Sequence, residues 1–442
     1  MNYDEVMVYI SNAMEFGINL GLGRTKKILD LLGNPQDKIK CVHIAGTNGK
    51  GSTAAMITKI LTQSGYKVGM YTSPFIEKFE ERIQVNGENI NKDDLSDVIT
   101  EVSYVVDKLV KLGQGHPTEF EIVTCAMFLY FYKQNVDIAV IEVGLGGALD
   151  STNVLKPCNS LDNVGGVILS IITSISYDHM HILGNTICEI AAQKAGIIKN
   201  KIPVVLYPQI KQVEDVIKMQ CAKSNSRLII VKQEDVKFLS SNNNFKQSII
   251  VKTQQNTYDI ELSLLGEHQI LNCAVAVSAC EELRKYGFNV VNSDIIKALK
   301  HVKWIGRLEV LSEKPLTILD GAHNIDGIKS LVRSVKKYLA YNKMILIIGI
   351  LADKQIDEMI TQIAPMASKI FVVTPNSNRA EEASELKNAI KKYNINCEAF
   401  ESYEMAYKSA ISCCEADDLL LVCGSLYMIG DMRKIIISKL ND

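Results

Sequence analysis

The chain has 442 residues, 47% of them hydrophobic and 22% charged, a composition that suits a globular protein of two or three domains and excludes disordered, collagen-like and coiled-coil chains. Lys and Arg number 48 against 50 Asp and Glu, for a net charge of -2. That balance leaves no basic surplus for a nucleic-acid backbone or an anionic membrane.

The opening MNYDEVMVYI carries acids where a secretory signal carries Lys or Arg, and no apolar run reaches the length of a membrane span. The 11 cysteines are odd in number and form no Cys-x-x-Cys pair, the usage of reduced thiols. A cytoplasmic protein without nucleic-acid or membrane partners is expected. From Cys41 onward, short β-branched runs alternate with helix-period segments, the pattern of parallel strands joined by crossover helices. CVHIA (41 to 45) predicts a strand, TAAMITKILTQS (53 to 64) a helix stopped by Gly65, and YKVGMYT the next strand. Further strands are predicted at 137 to 143, 166 to 175 and 203 to 207. Between Arg227 and Leu265 the runs RLIIV and YDIEL, broken by SSNNN, predict a short antiparallel appendage that closes the first sheet. A helix follows from about Ile270 to Tyr286. Then VKWIGRLEVLSEKP places Gly306 and Pro315 around a candidate linker, and LTILD, MILIIGI, KIFVVT and LLLVCG predict a second α/β unit. The fold class expected is α/β, with a phosphate-loop N-terminal domain (1–297) built on an open, mostly parallel sheet, a linker (298–309) and a smaller Rossmann-like domain (310–442).

The most informative segment is VHIAGTNGKGST, Val42 to Thr53. A strand runs through a Gly-rich turn into a helix, so the backbone N–H groups of Gly49 to Ser52 converge where phosphate oxygens bind a helix N-terminus, and Lys50 reaches the β- and γ-phosphates. Ile44 stands where the common G-x-x-x-x-G-K-[ST] loop has its first Gly, and Gly51 follows Lys50 directly, which disfavours a generic kinase or GTPase. Glu142 ends an apolar strand at the sheet edge where ligands bind, and its carboxylate suits Mg²⁺, which takes hard oxygen ligands. Ser73 offers a hydroxyl on the same edge. His179 and His181 invite a two-His metal site, but only one is expected to be a ligand, and zinc is disfavoured because no Cys or further His completes a tetrahedral set.

AGTNGKGST resembles the nucleotide loop of the folylpolyglutamate synthase and dihydrofolate synthase family, one of the amide-forming ligases that also include the muramyl ligases. The resemblance continues in order through TSPFIEKFEERIQVNG, PTEFE, EVGLGG, YDHMHILG, QKAGIIK, GEHQILN, GRLE and LDGAHN, and so covers nearly the whole chain. It implies ATP-dependent addition of L-glutamate to folates, and to dihydropteroate as well, since PTEF followed by LDS favours both activities; the alternative is a related ligase acting on a non-folate acidic acceptor. The residues it implies for ATP are Thr47, Asn48, Gly49, Lys50, Gly51, Ser52, Asn272, Arg307, Asp320 and His323. For Mg²⁺, expected as two ions, they are Ser73, Glu142, His179 and Lys194, the last as its carbamate, because a plain ammonium is a poor neighbour for the metal whereas the CO₂ adduct is an oxygen anion. For the folate they are Arg82, Thr118, Glu119, Phe120, Glu121, Leu149, Asp150 and Ser151. Catalysis is expected from Lys50, Glu142, His179, Lys194 and Arg307, on a monomer. The chain departs from the family's pattern with Ala148 for Arg, Phe75 for His and Gln193 for Glu.

Overall fold

The computed structural model describes residues 1–17, 19–158, 165–242 and 244–441. Eight strands form the first sheet: β1 (Lys40–Ala45), β2 (Val68–Tyr71), β3 (Ile83–Val85), β4 (Glu88–Asn89), β5 (Ile138–Glu142), β6 (Gly166–Ile172), β7 (Val204–Leu206) and β8 (Leu228–Ile230), in the spatial order β4-β3-β2-β5-β1-β6-β7-β8. The run from β2 to β8 is parallel, and β3 and β4 turn back antiparallel at one edge. The central strands β5 and β6 are buried along their full length and β1 from Cys41 onward, which explains why they read as continuous apolar runs rather than alternating ones. One face packs under the helices Lys50–Gln63 and Glu267–Leu283, the other under Lys92–Lys111 and Glu119–Lys133.

The predicted appendage is corrected in one respect. RLIIV supplies β8, the parallel edge of the main sheet, whereas β9 (Val236–Ser241), β10 (Gln247–Lys252) and β11 (Thr257–Leu262) form a separate antiparallel sheet and close nothing. The reason is visible in β11, whose burial alternates: its single apolar face carries Tyr258, Ile260 and Leu262 into the core beneath Glu267–Leu283. Asn243 of the SSNNN stretch lies outside the described residues.

After the helix Asn292–Leu299, the chain crosses to a third sheet made of β12 (Glu309–Glu313), β13 (Leu316–Leu319), β14 (Met344–Ile348), β15 (Lys369–Val373), β16 (Cys397–Phe400) and β17 (Leu419–Cys423). Its order is β12-β13-β17-β14-β15-β16, parallel except for β12. The four anticipated strands are β13, β14, β15 and β17. The edge strands β12 and β16, partly exposed and polar, lack the long apolar run that marks the others. Among the described residues, no helix is long and apolar enough to cross a membrane.

Candidate active site

The phosphate loop leaves β1 at the carboxyl edge of the sheet, flanked by β5, which ends in Glu142, and by β6, which runs into Thr173 to Ser176. Backbone bonds fix it there. The Thr47 N–H donates to the Ser174 carbonyl at 2.7 Å, and the Thr47 hydroxyl sits 3.1 Å from both the carbonyl and the N–H of Ser176. Gly49 caps the helix Lys50–Gln63 in the left-handed region (φ 87°), and a Cβ there would lie 2.6 Å from Asn272 Oδ1. Only glycine meets both demands. The first-turn N–H groups of that helix have no intrahelical partner and face the cleft, the arrangement that takes anions. The helix starts at Lys50 rather than Thr53, so the turn is tighter than the sequence pattern suggested.

A cavity of about 370 Å³ opens on this loop, between the two sheet units. Of the expected nucleotide residues, Thr47, Asn48, Gly49, Lys50, Gly51, Ser52, Asn272, Arg307, Asp320 and His323 all line it, together with Ser73, Glu142, His179 and Lys194. Glu142 is 5% exposed; its carboxylate lies 3.6 Å from Lys50 Nζ and accepts the Ser73 N–H at 3.4 Å. Burial raises its pKa, against the pull of Lys50, the Ser73 N–H and Arg307. A buried carboxylate so incompletely compensated, with a hydroxyl beside it, fits a hard divalent cation.

Lys194 and His179 line the same cavity. Lys194, 4% exposed, donates to the Gly46 carbonyl at 2.8 Å, and burial together with Lys50 lowers its pKa to about 7. A substantial neutral fraction near pH 7 is the condition for addition of CO₂. His179 caps a short helix in the left-handed region (φ 48°). Burial lowers its pKa to about 4, Asp178 opposing and Lys354 adding to the effect, so the ring is neutral at pH 7 with a nitrogen lone pair for a metal. His181 is exposed, lies 6.3 Å from His179 between ring centroids and is not part of the cavity wall. Among the described residues, no three His, Cys, Asp or Glu side chains form a ready cage. The fit is to ions completed by phosphate oxygens and water rather than by protein alone.

Asp320 has a role the sequence did not suggest. Its two carboxylate oxygens accept the Leu308 and Ala322 N–H groups at 2.9 and 2.8 Å, which locks Leu308, a non-glycine at φ 43°, to the second unit. The ATP-binding role expected for Asp320 therefore shares its oxygens with this hinge bond. The folate group is also placed differently from the nucleotide group, since none of Arg82, Thr118, Glu119, Phe120, Glu121, Leu149, Asp150 and Ser151 lines the 370 Å³ cavity. They gather behind the Gly144–Gly147 turn, against which the Phe120 ring packs so closely that a Cβ on Gly144 would lie 2.4 Å from it. Thr118 and Glu121 form a capping box on Glu119–Lys133, Glu121 also pairs with Arg24 at 2.9 Å, and Glu119 pairs with Arg82 at 2.7 Å. Asp150 is buried with its oxygens on the Leu145 and Thr152 N–H groups and the Thr152 hydroxyl. Leu149 is exposed and Ser151 buried.

Several residues of the site escaped sequence reasoning. Asp178 lines the cavity and pairs with Lys354 at 2.7 Å across the cleft, the lysine side chain only 7% exposed. Burial alone would raise the Asp178 carboxyl; Lys354 and His179 outweigh it and hold it well below the usual carboxylate range. Asn324 joins the same contact by bonding Asn48 and Asp178, and His268 meets Ser330 at 2.8 Å. Asp178 was readable as the neighbour of His179 in YDHMH. Lys354, in an unremarkable ADKQ, carried no signal.

Residues 44–280 match the Mur ligase middle domain, and residues 306–426 match the glutamate ligase domain of the same class. With a phosphate loop and a buried carboxylate facing a second α/β unit, the fold and site define an ATP-dependent amide-forming ligase of the Mur type. The chain is 37% identical to the dihydrofolate synthase/folylpolyglutamate synthase of Bacillus subtilis over 98% of each chain, and 32% identical to the folylpolyglutamate synthase of Lacticaseibacillus casei over 99% of each. It shares a TM-score of 0.89 with Mycobacterium tuberculosis folylpolyglutamate synthase complexed with ADP and AMPPCP, at 25% identity and over 98% of this chain and 99% of that one. It belongs to the folylpolyglutamate synthase and dihydrofolate synthase family.

Proposed function

We propose that this protein joins L-glutamate to a pteroate-type carboxylate at the expense of ATP, acting on tetrahydrofolates and on dihydropteroate. The observation that supports the reading most directly is the pairing of Lys50 and Glu142 at 3.6 Å at the mouth of a helix N-terminus, with Arg307 on the facing unit lining the same cavity. A carboxylate oxygen is a poor leaving group. Attack of the carboxylate on the γ-phosphate of ATP breaks the bond to ADP, which leaves, and gives an acyl phosphate; the glutamate amine then attacks the acyl carbon, displaces phosphate and loses its proton. The chain's contribution is position and charge: the N–H groups of Gly49 to Ser52 and Lys50 orient the phosphates, and Arg307 meets the transferring group from the other side. Mg²⁺ supplies neutralisation of the phosphate oxygens, and Ser73 and Glu142 are the residues that would hold one ion. His179 and Lys194, the latter as its carbamate, would hold a second.

The pteroate is assigned to the patch behind the Gly144–Gly147 turn, where Phe120 offers an aromatic face and Asp150 and Glu121 offer carboxylates. Both carboxylates already hold protein donors, so their part in pterin binding is shared with holding the turn. Domains at 1–297 and 310–442 joined by residues 298–309, a monomeric state, growing glutamate chains and a cytoplasmic location complete the proposal. ADP release measured with dihydropteroate or tetrahydrofolate, each with and without L-glutamate, tests it. Release that depends on both substrates is the expected result; release with a different acidic acceptor but neither pteroate assigns the chain to a sister ligase.

A further inference from the structure

The segment Thr72 to Arg82 follows β2 and carries, as its second residue, the Ser73 whose N–H meets Glu142. It is a closed unit, since the Thr72 N–H bonds the Arg82 carbonyl at 3.1 Å and the Glu81 carboxylate accepts the N–H groups of Ile76, Glu77 and Lys78 at 2.7 to 3.1 Å. Its tip leaves its own unit. Ile76 packs against the core of the second one, and its carbonyl rests on Gly430 of the terminal helix Leu426–Asn441, where a Cβ would come within 1.7 Å of that oxygen. One turn further along, the Arg433 guanidinium reaches Glu77 at 2.7 Å and grips Glu309 with Nε and Nη2 at 2.9 and 2.7 Å. Glu309 in turn accepts the Gly306 N–H at 3.0 Å, immediately before Arg307. A single cation thus joins the loop that presents Ser73, the hinge that presents Arg307 and the helix of the second unit.

We propose that Arg433 is a positioning residue for the ligase reaction: through Glu77 and Glu309 it transmits the seating of the C-terminal unit to the Ser73 loop and to the Arg307 hinge, so that the two walls of the site come into register together. This inference rests on the function proposed above. Arg suits the task because its planar fork serves two carboxylates at once, which a point ammonium does not. With the guanidinium removed, the loop keeps its Glu81 cap and the Ile76 contact but loses its ionic tie to Glu309 and the hinge, and the site is assembled in fewer molecules.

The test uses the full-length chain carrying Arg433→Met, Arg433→Lys or Glu77→Gln, read by amide hydrogen exchange without ligand and by ADP release. Arg433→Met is expected to speed exchange over residues 73 to 82 by about tenfold while leaving residues 46 to 52 unchanged. It should lower kcat by about tenfold with less than about a threefold change in KM for ATP, the mark of lost assembly rather than lost nucleotide binding. Arg433→Lys should recover part of kcat, and adding Glu77→Gln to Arg433→Met should cost nothing more. Normal kcat with altered exchange would reduce the clamp to a structural tie, and normal exchange would overturn it. Should Arg433→Met fail to fold, Glu77→Gln carries the same expectations, and a Glu77→Gln protein normal in both measurements sinks the proposal. Absence of pteroate-dependent ADP release in the unmodified chain would count against the proposed function, while the exchange measurement still judges the clamp.

Discussion

Lys50 and Glu142 show how much of the proposed chemistry rests on single charges. Lys50 bonds the Thr47 carbonyl at 3.2 Å and contributes little to the core, so Lys50→Ala is expected to keep its unfolding temperature and lose turnover by at least about 10²-fold, the scale of removing one preorganised electrostatic partner. Glu142→Gln preserves volume but removes the buried charge. Its rate should fall steeply and recover only partly as Mg²⁺ is raised; a wild-type rate at ordinary Mg²⁺ would take Glu142 out of the site. Lys194 separates charge from chemistry. Lys194→Arg keeps a cation yet forms no carbamate, so it is expected to be inactive, whereas Lys194→Ala should regain some activity with small carboxylic acids. A carbamate carbon signal in the wild-type protein under ¹³C-labelled bicarbonate, absent from the Arg variant, is the independent check. Ala148 carries a further lesson. Its N–H bonds the Gln193 carbonyl at 2.8 Å and it packs against Gly196, so the helix that bears Lys194 crowds the place where relatives' longer side chain would start.

At the level of elements, turns rather than helices or strands hold the site. The Gly144–Asp150 turn hangs from a buried relay in which His43 Nε2 meets the Thr152 hydroxyl at 2.8 Å and that hydroxyl donates to Asp150. Thr152→Val keeps the shape and deletes the relay, leaving His43 and Asp150 each one partner short. A stability loss of about 1–3 kcal/mol is expected by denaturant unfolding, with KM for the pteroate rising more than kcat falls. An unchanged stability would mean the relay is idle. Gly49→Ala addresses the other turn. A Cβ at φ 87° costs about 1–2 kcal/mol in backbone strain and strikes Asn272, so nucleotide binding by titration should weaken with the phosphate loop's register.

Over the whole molecule, the two sheet units are joined by the Ile76 and Arg433 contacts of the Ser73 loop and by polar contacts that lie in the cleft itself. Asp178 and Lys354 form an ion pair among the cleft contacts, with side chains 11% and 7% exposed, and a buried pair broken on one side costs about 3–5 kcal/mol. Lys354→Met should therefore separate unfolding of the two units in calorimetry and raise KM for ATP; a single unchanged transition would show that the pair does not hold the units together. The sign of its pH dependence follows from the depressed Asp178 carboxyl. A carboxylate held low in the folded state contributes its full stabilisation above the ordinary Asp pKa and loses it as pH falls below that value toward its own. Docking of the units should thus survive mild acid and weaken only in stronger acid.

The sequence by itself determined the parts whose signal is local. The phosphate loop, the carboxylate at the end of β5 and the buried strands are short-range patterns of backbone and burial, and VHIAGTNGKGST and DIAVIE state them within a dozen residues. What only the tertiary structure decided are the pairings across distance. Arg433 meets Glu77 at a separation of 356 residues and Lys354 meets Asp178 at 176, and nothing in the chain around Arg433 or Lys354 distinguishes either from a solvated surface charge or names its distant partner. The destination of β9 to β11 was hidden for a related reason, because an alternating strand declares that one face is buried but not against which partner. Asp320 shows the two together: its place at the end of β13 was legible, but its grip on Leu308 depends on a hinge conformation that exists only once the second sheet is built.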